Sequence, residues 1–397
     1  MRLLIAVHDL TDSNRRLMPW RTVCEVTEGA RQSGHAAAVL SLGNAGRCLS
    51  GDNFLRDDFS GDVIQVNKSK RLLAGELEKV AAGFKPDVVF WPVAWREAAW
   101  RIGAAGSLRV PVVGYFPGGA YSLPTALNAA RQIGVKRALP YVREAAANKK
   151  KQVRRLKAGG FERIIAMTGF TAQQVIWAGY EKSLVYAIPP GKDAAGGFEA
   201  SDLPEDFNAW LSGRPFYLFM GPPARIRGVF EMLEAFDRAA DKHPDVCLVC
   251  LFRPDSRLDA SRIERKINAL KYRHRVYPVW EMLDEKARNG FLSRCFALVQ
   301  PFVVVPSEIP LAIIENMAWG KPVVVSDAEG TGEFAQPFGL VVRPGNTKAL
   351  AEAMRRLLAD ENLYAGKAAQ AKALYEKHPD WAAVAEKWVD AAASLWG

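Results

Sequence analysis

A short segment in the second half of the sequence combines a predicted helix start with carboxylate side chains. Residues 311–319 form a predicted helix that Gly320 and Pro322 close. Its start, near residues 307–310, leaves backbone N–H groups free and carries the positive end of the helix dipole, which suits a diphosphate. Glu315, further along the helix, can accept hydrogen bonds from two adjacent ribose hydroxyls. The segment therefore predicts a nucleotide site, and a solvated surface glutamate is the alternative for Glu315 alone.

The elements that must position this segment are short apolar runs that alternate with helical patterns. Fully apolar strands separated by helices predict parallel sheets covered on both faces. In the first half the predicted strands are 3–7, 37–42, 62–66, 87–91, 112–116, 163–167 and 184–188. In the second half they are 216–220, 246–252, 276–278, 297–300, 323–326 and 340–342.

The chain of 397 residues is long enough for two domains. Proline and glycine cluster at 189–197, which predicts a linker there. We therefore expect an α/β fold with two Rossmann-like domains, 1–195 and 196–379, that face each other across a cleft at the carboxyl ends of their strands. An amphipathic tail helix, 380–397, is expected to pack back on the first domain.

The positive charge is concentrated in the first half of the sequence. Residues 1–200 hold 28 Lys/Arg and 17 Asp/Glu, whereas residues 201–397 hold 25 and 26. The stretch 131–157 is the most basic, with interleaved apolar residues, and predicts contact with an anionic membrane surface. A solvated face is the alternative, and no nucleic-acid-binding motif accompanies the charge.

The hydropathy of the sequence and its cysteines indicate the cellular compartment in which the protein works. No apolar run reaches the roughly 18–20 residues of a membrane helix, and the apolar start is too short for a signal peptide, so we expect a cytoplasmic protein. Five cysteines, an odd number, fit a reducing compartment. Cys247 and Cys250 form a CxxC on a predicted strand, where the two side chains point to opposite faces and bind no metal.

Residues 308–324 resemble the signature of the retaining GT-B glycosyltransferases of family 4, the glycosyl transferases group 1. That signature has two glutamates separated by seven residues, then Ala-Met-Ala, a variable residue, Gly, a variable residue and Pro-Val. The positions that match are Glu315, Met317, Ala318, Gly320, Pro322 and Val323. The resemblance implies a GT-B fold and a hexosyltransferase-type reaction. The enzyme would move a sugar, with retention and without metal, from a nucleotide-diphosphate sugar to a glycan or lipid-linked acceptor in cell-surface polysaccharide biosynthesis.

The first loop of the second half resembles the family's diphosphate loop. It begins at Gly221, and Arg227 fills the position where the family has lysine, which keeps a positive charge for the leaving diphosphate. Pro222 replaces the usual arginine, and Arg225 is the candidate for the missing charge. Lys321 is a further candidate donor ligand.

The first half of the signature departs from the family, because only six residues separate Glu308 from Glu315. Either Glu308 still reaches the donor sugar, or Ser307 takes its place. With Ile309, Pro310 and Leu311 at the helix start, these residues complete the predicted donor site.

The acceptor side is predicted from the first half of the chain. The family often has a histidine after the fourth or fifth strand, but residues 113–119 contain none. His8, at the end of the first strand, is the histidine best placed for the cleft, and a loop histidine that caps a turn is the alternative. Phe116 and Tyr121 are expected to line the acceptor pocket.

Two other functions stay open. A nucleotide-sugar epimerase on the same fold would need acid and base side chains in the cleft, and few are visible. A non-catalytic GT-B protein with an eroded donor site is the other alternative, which Pro222, the shifted glutamate and the missing histidine favour. No Asp-x-Asp pair lies in a predicted cleft loop, in keeping with a reaction that needs no metal.

Overall fold

The computed structural model describes residues 1–11, 14–43, 62–119, 121–194, 196–199, 202–253 and 260–395. The chain divides into two units, each built around its own sheet. The first unit contains Met1–Ala120, Arg143–Gly191 and Pro379–Gly397, and the second contains Tyr121–Val142 and Lys192–His378. Residue 195, the predicted end of the first domain, lies outside the described residues, so that boundary stays a prediction.

The first unit is built on a parallel sheet in the order β3-β2-β1-β4-β5-β6-β7. The structure confirms the seven predicted strands, which are β1 Arg2–His8, β2 Ala36–Gly43, β3 Asp62–Asn67, β4 Val88–Pro92, β5 Val112–Tyr115, β6 Phe161–Ala166 and β7 Val185–Ala187. Alternate residues of each strand enter opposite cores: Leu4 packs on one face of the sheet and Leu3 and Ile5 on the other. Both faces are therefore covered, as the apolar strands predict.

The second unit contains a parallel sheet in the order β10-β9-β8-β11-β12-β13. Its strands are β8 Phe216–Gly221, β9 Cys247–Phe252, β10 Val276–Val279, β11 Ala297–Gln300, β12 Val323–Ser326 and β13 Gly339–Val342. Cys247 and Cys250 pack in different cores on opposite faces of β9. The CxxC spacing is therefore structural here, as the strand pattern predicts.

Helices flank the strands throughout the described residues. Up to the second unit's sheet they are α1 Trp20–Gln32, α2 Leu73–Phe84, α3 Ala99–Gly106, α4 Leu123–Ile133, α5 Val135–Ala145, α6 Lys149–Ala158, α7 Gly169–Trp177 and α8 Glu205–Leu211. The later helices are α9 Val229–Ala240, α10 Ala260–Asn268, α11 Glu285–Arg294, α12 Leu311–Ala318, α13 Gly330–Ala335, α14 Thr347–Ala359, α15 Glu361–Lys377 and α16 Trp381–Ala393. None of the described helices is long and apolar enough to cross a membrane.

The helix α4 and the start of α5 pack within the second unit, although they follow β5 of the first sheet in the chain. Asn128 Nδ2 donates to the Pro344 carbonyl at 2.9 Å. Ile133 forms one apolar cluster with Val303 and Val304. The sequence predicts a basic surface over residues 131–157 and gives no sign that Tyr121–Val142 pack within the second unit.

The tail helix α16 completes the core of the first unit. Trp388 packs on Phe90 and Tyr115, with ring centroids 5.1 and 5.2 Å apart. A Cβ at Gly29 of α1 would collide with Ala385, so α1 and α16 approach closely because Gly29 has no side chain.

The Trp388 contact predicts that the tail helix stabilises the first unit. Trp388→Ala removes a buried aromatic side chain, so we expect a loss of about 3–5 kcal/mol in the free energy of unfolding. Urea denaturation measures this change, and Lys387→Ala, at an exposed neighbouring position, serves as the control. Equal stability of both variants would contradict the packing described for α16.

Candidate functional site

Three loops meet at the carboxyl edge of the second sheet, because β8, β11 and β12 are neighbours there. The loop after β8 is tied to the loop after β11, since the N–H groups of Val303 and Val304 donate to the Ile226 carbonyl at 2.9 and 3.1 Å. The loop after β11 is tied to the start of α13, since Thr331 Oγ1 donates to the Glu308 carbonyl at 2.7 Å. The candidate donor residues of the sequence analysis lie mainly in these loops.

Arg227 lies against the end of β8. Gly221 has a φ of 140°, and a Cβ there would lie 3.0 Å from an Arg227 guanidinium nitrogen, so the missing side chain leaves room for the guanidinium. The guanidinium carbon is 5.5 Å from the centroid of the Phe302 ring. Gly228, with a φ of 71°, fixes the turn, because a Cβ there would collide with the Pro301 carbonyl.

The charge of Arg227 is partly shielded from solvent, since its side chain is half-buried. No carboxylate of the described residues forms an ion pair with it. Burial, and secondarily the nearby Arg253, lowers the pKa of Arg227 to about 10. The side chain is therefore still cationic at neutral pH, and withdrawing an unpaired cation from water, even in part, is costly. An anionic ligand at this edge would relieve that cost.

The start of α12 lies at the same edge. Pro310 is the N-cap residue and no side chain caps the helix. Leu311 is the first helical residue, so N–H groups of the first turn are available to an anion. Ile309 is buried and anchors the loop that precedes the helix. The arrangement agrees with the predicted diphosphate position.

The two alternatives for the sugar-holding residue, Ser307 and Glu308, are both buried, with 8% and 1% of their surface exposed. Glu308 lies close enough to Glu329 for its charge to raise the pKa of the Glu329 carboxyl. Which of Ser307 and Glu308 holds a sugar stays a prediction.

Glu315 lies in the middle of α12 and faces α11. Its carboxylate is 3.6 Å from Arg288 Nε, and both side chains are partly exposed. A carboxylate in this position can still accept hydrogen bonds on its remaining lone pairs. The ion pair with Arg288 was not foreseen in the sequence analysis.

The structure separates Lys321 from this group and keeps Arg225 within it. Lys321 precedes β12 and so lies at the amino edge of the sheet, away from Gly221 at the carboxyl edge. Arg225 stays close to the diphosphate loop, with its guanidinium carbon 4.9 Å from the Phe230 ring centroid.

At the carboxyl edge of the first sheet, His8 ends β1. Burial, followed by the charge of Arg101, lowers the pKa of the His8 imidazole to about 4. The backbone carbonyl of His8 accepts from Trp20 Nε1 at 2.6 Å, while its side-chain Nδ1 is buried without a hydrogen-bond partner in the described part of the chain. His8 is therefore neutral at physiological pH and can exchange a hydrogen bond with a ligand.

Several other buried polar atoms near His8 lack a hydrogen-bond partner among the described residues. They are Trp95 Nε1, Glu97 Oε1 and Arg101 Nε. Glu97 and Arg101 form an ion pair at 3.5 Å, and burial raises the pKa of the Glu97 carboxyl. Buried polar groups are normally satisfied, so this cluster has the character of a site for a hydroxylated ligand.

The other two predicted acceptor residues lie apart. Phe116 is buried in the core of the first unit, with its ring 5.1 Å from that of Trp95. Tyr121 belongs to the second unit and packs edge-on against Tyr141 at 5.1 Å.

Sequence reasoning missed Gln300, Glu97, Arg101 and Glu329. Gln300 is fully buried at the end of β11. Its Nε2 donates to the Met220 carbonyl at 2.9 Å, and its Oε1 has no partner in the described ranges. A polar residue that ends an apolar strand was the signal available for Gln300. Among the described residues no group of three or more His, Cys, Asp or Glu is arranged to hold a metal ion.

The sequence of the second unit matches a known family. The model for glycosyl transferases group 1 covers residues 214–360, which include all three loops of the candidate donor site. Residues 214–360 are therefore similar to the glycosyl transferases group 1 family. The alpha-D-kanosaminyltransferase of Streptomyces kanamyceticus is 30% identical to it over 177 residues. That match spans 43% of this chain and 43% of the relative, so less than half of each protein.

Solved structures of similar fold cover the whole chain. HepE of Anabaena in complex with UDP aligns with a TM-score of 0.73 at 16% identity, over 99% of this chain and 100% of HepE. A glycosyltransferase of Rickettsia africae aligns with a TM-score of 0.73 at 16% identity, over 100% and 98%. Sucrose-phosphate synthase of Thermosynechococcus elongatus aligns with a TM-score of 0.68 at 17% identity, over 100% and 99%. Two parallel Rossmann-like sheets and these matches establish a GT-B fold for this chain.

The charge of Arg227, which is paired with no carboxylate of the described residues, predicts a site for anions. Arg227→Met removes a half-buried cation and keeps most of the side-chain volume. We expect the variant to melt at the same or a higher temperature than the natural protein and to lose the stabilisation that pyrophosphate gives.

Thermal unfolding with and without pyrophosphate measures both effects. Arg238→Met, at an exposed arginine paired with Glu234, is the control and should keep the pyrophosphate shift. An equal pyrophosphate shift in the Arg227 variant would contradict the proposed anion site.

Proposed function

We propose that this protein is a retaining glycosyltransferase that uses a nucleotide-diphosphate sugar. The observation that carries the proposal is Arg227, a half-buried cation without a carboxylate partner among the described residues, at the edge of the sheet where α12 begins. Transfer from such a donor requires that the charge on the departing diphosphate be neutralised. In this proposal Arg227 and the N–H groups of Leu311 and its neighbour do so in place of a metal ion.

The donor is held by groups from the same loops. Glu315 accepts hydrogen bonds from the ribose hydroxyls. Glu308, with Ser307 as the alternative, forms hydrogen bonds with the hydroxyls of the sugar. Arg225 adds positive charge near the diphosphate, where Pro222 stands in place of the family's usual arginine. Lys321 has no part in the proposed site, because it precedes β12 at the amino edge of the sheet. The complexes of HepE with UDP and with UDP-glucose support a uridine nucleotide as the first donor to test.

The acceptor is proposed to bind at the carboxyl edge of the first sheet. His8 Nδ1 and Trp95 Nε1, which have no hydrogen-bond partner among the described residues, can exchange hydrogen bonds with hydroxyl groups. A glycan or lipid-linked acceptor in cell-surface polysaccharide biosynthesis supplies such hydroxyls. In the family's front-face route, the diphosphate oxygen takes the acceptor proton while the new glycosidic bond forms on the same face of the sugar.

We also propose that the protein binds the inner face of an anionic membrane. Leu123, Leu127 and Val135 are exposed on α4 and α5, with 47%, 50% and 73% of their surface accessible. Lys136 and Arg137 are exposed beside them. Exposed apolar side chains with flanking cations are typical of a surface that inserts among anionic lipids. On α6, by contrast, the apolar residues of the basic stretch pack into the core.

The first test is the affinity for UDP and GDP sugars, measured by isothermal titration calorimetry, followed by an assay of hydrolysis and transfer. Glu315→Gln should weaken UDP binding about 10- to 100-fold, since it removes hydrogen bonds to a charged group. Arg288→Met breaks the same ion pair and is the matched control. If both variants lose the same amount of affinity for UDP, Glu315 acts only through its ion pair with Arg288. Binding without turnover on any acceptor extract would favour the non-catalytic alternative.

The membrane proposal is tested by sedimentation with phosphatidylglycerol vesicles. Changing Leu123, Leu127 and Val135 together to serine should reduce binding more than tenfold, because each apolar side chain contributes on the order of 1 kcal/mol or more when buried. Met282→Ser, at an exposed site outside these helices, should leave binding unchanged. Equal binding of the natural protein to phosphatidylcholine vesicles would contradict the proposal.

A further inference from the structure

Glu329 has a backbone conformation that favours glycine. It follows β12 and precedes Gly330, with φ 48° and ψ −139°. Lys85 and Ser212 also have positive φ, but their ψ values of 60° and 39° place them in the ordinary left-handed region at helix ends. The ψ of Glu329 lies far outside that region. A residue with a side chain lowers the stability of the protein in this conformation, and glycine at the same position would not.

The Glu329 side chain is buried, with 6% of its surface exposed. The Ser122 N–H donates to its Oε1 at 3.4 Å, and Thr125 also forms a hydrogen bond with the carboxyl group. Its other oxygen, Oε2, has no hydrogen-bond partner among the described residues. Oε1 therefore attaches the start of α4 to this loop. Oε2 has no structural role of this kind.

The surroundings of Glu329 favour the neutral carboxylic acid. Burial raises its pKa to about 7, and the charges of Glu308 and Asp327 act in the same direction, while the bonds from Ser122 and Thr125 oppose the shift. With a pKa of about 7, the carboxyl group is about half protonated at neutral pH and mostly protonated below it, so it can donate a hydrogen bond. Glu308, its neighbour, belongs to the loop in which the donor sugar is proposed to be held.

We propose that Glu329 is a specificity-determining residue of the donor site, whose free oxygen exchanges a hydrogen bond with a hydroxyl group of the transferred sugar beside Glu308. This inference rests on the proposed function. It explains three observations together: a strained backbone that glycine would relieve, a buried oxygen without a partner, and the proximity of Glu308. A buried polar atom left unpaired in the free protein rejects ligands that cannot satisfy it.

The test compares Glu329→Gly with Ser212→Gly. Ser212 is exposed, has positive φ and lies in α8's C-terminal cap, so it controls for relief of strain alone. Both variants should melt no lower than the natural protein. The affinity for UDP should change less than twofold in each. For Glu329→Gly the affinity for UDP-glucose should fall roughly tenfold, the effect of one lost hydrogen bond in a buried site.

Discrimination among sugars is the second readout. Calorimetry with UDP-glucose, UDP-galactose and UDP-xylose should show a narrower range of affinities for Glu329→Gly than for the natural protein. As pH rises from 6 to 8.5, the affinity of the natural protein for its preferred UDP-sugar should fall relative to its affinity for UDP. Glu329→Gln, whose amide stays a donor, should not show that dependence on pH.

Each outcome bears on the inference separately from the proposed function. If the natural protein binds neither UDP nor GDP nor their sugars, the proposed function fails and this inference fails with it. If the natural protein binds them and Glu329→Gly keeps the same affinities for all three sugars, only the inference is overturned. A parallel loss of UDP and UDP-sugar affinity with a lower melting temperature would assign Glu329 a purely structural role and also overturn it.

Discussion

The guanidinium of the half-buried Arg227, at the end of β8 and without a carboxylate partner in the described part of the chain, is the constraint on which the proposed site depends. The space it occupies exists because Gly221 has no side chain. The turn that positions the guanidinium requires Gly228, because a Cβ at this position would collide with the Pro301 carbonyl. A cation held in this way is costly in the free protein. The same cost would favour an anion at this edge, and a nucleotide diphosphate is the anion that the proposed function requires.

Sheet topology explains why the other groups gather around this charge. In a parallel sheet the loops after adjacent strands emerge at one edge, and β8, β11 and β12 are adjacent. The start of α12 and the buried Ser307 and Glu308 follow β11, and Glu329 follows β12. Glu329 also accepts a hydrogen bond from the start of α4, so the helix with exposed Leu123 is attached to the loops that are proposed to hold the sugar.

Much of the fold could be predicted from the sequence, because buried parallel strands are continuous apolar runs. All thirteen predicted strands are present, and the helix after β11 begins at Leu311 as predicted. The long helix α15 was missed, since it has little apolar periodicity and buries only Ala371 along its length. The packing of α4 on the second unit was also missed, because it depends on contacts between residues far apart in sequence, such as Asn128 and Pro344.

The candidate site was only partly predictable. Motif spacing indicated Gly221, Arg227 and Glu315, but gave no sign that Arg288 pairs with Glu315. Lys321 was predicted as a donor ligand because of its charge, although it precedes β12 and so lies at the opposite edge of the sheet. Glu329 could not be chosen from composition, since its significance lies in a backbone angle and in an unpartnered oxygen.

The measurement that tests the central claim most directly is a crystal structure of the protein with UDP. The account predicts the diphosphate within hydrogen-bonding distance of the Arg227 guanidinium and of the first N–H groups of α12, with the ribose hydroxyls on Glu315. A nucleotide bound elsewhere, or a diphosphate that makes no contact with Arg227, would contradict it.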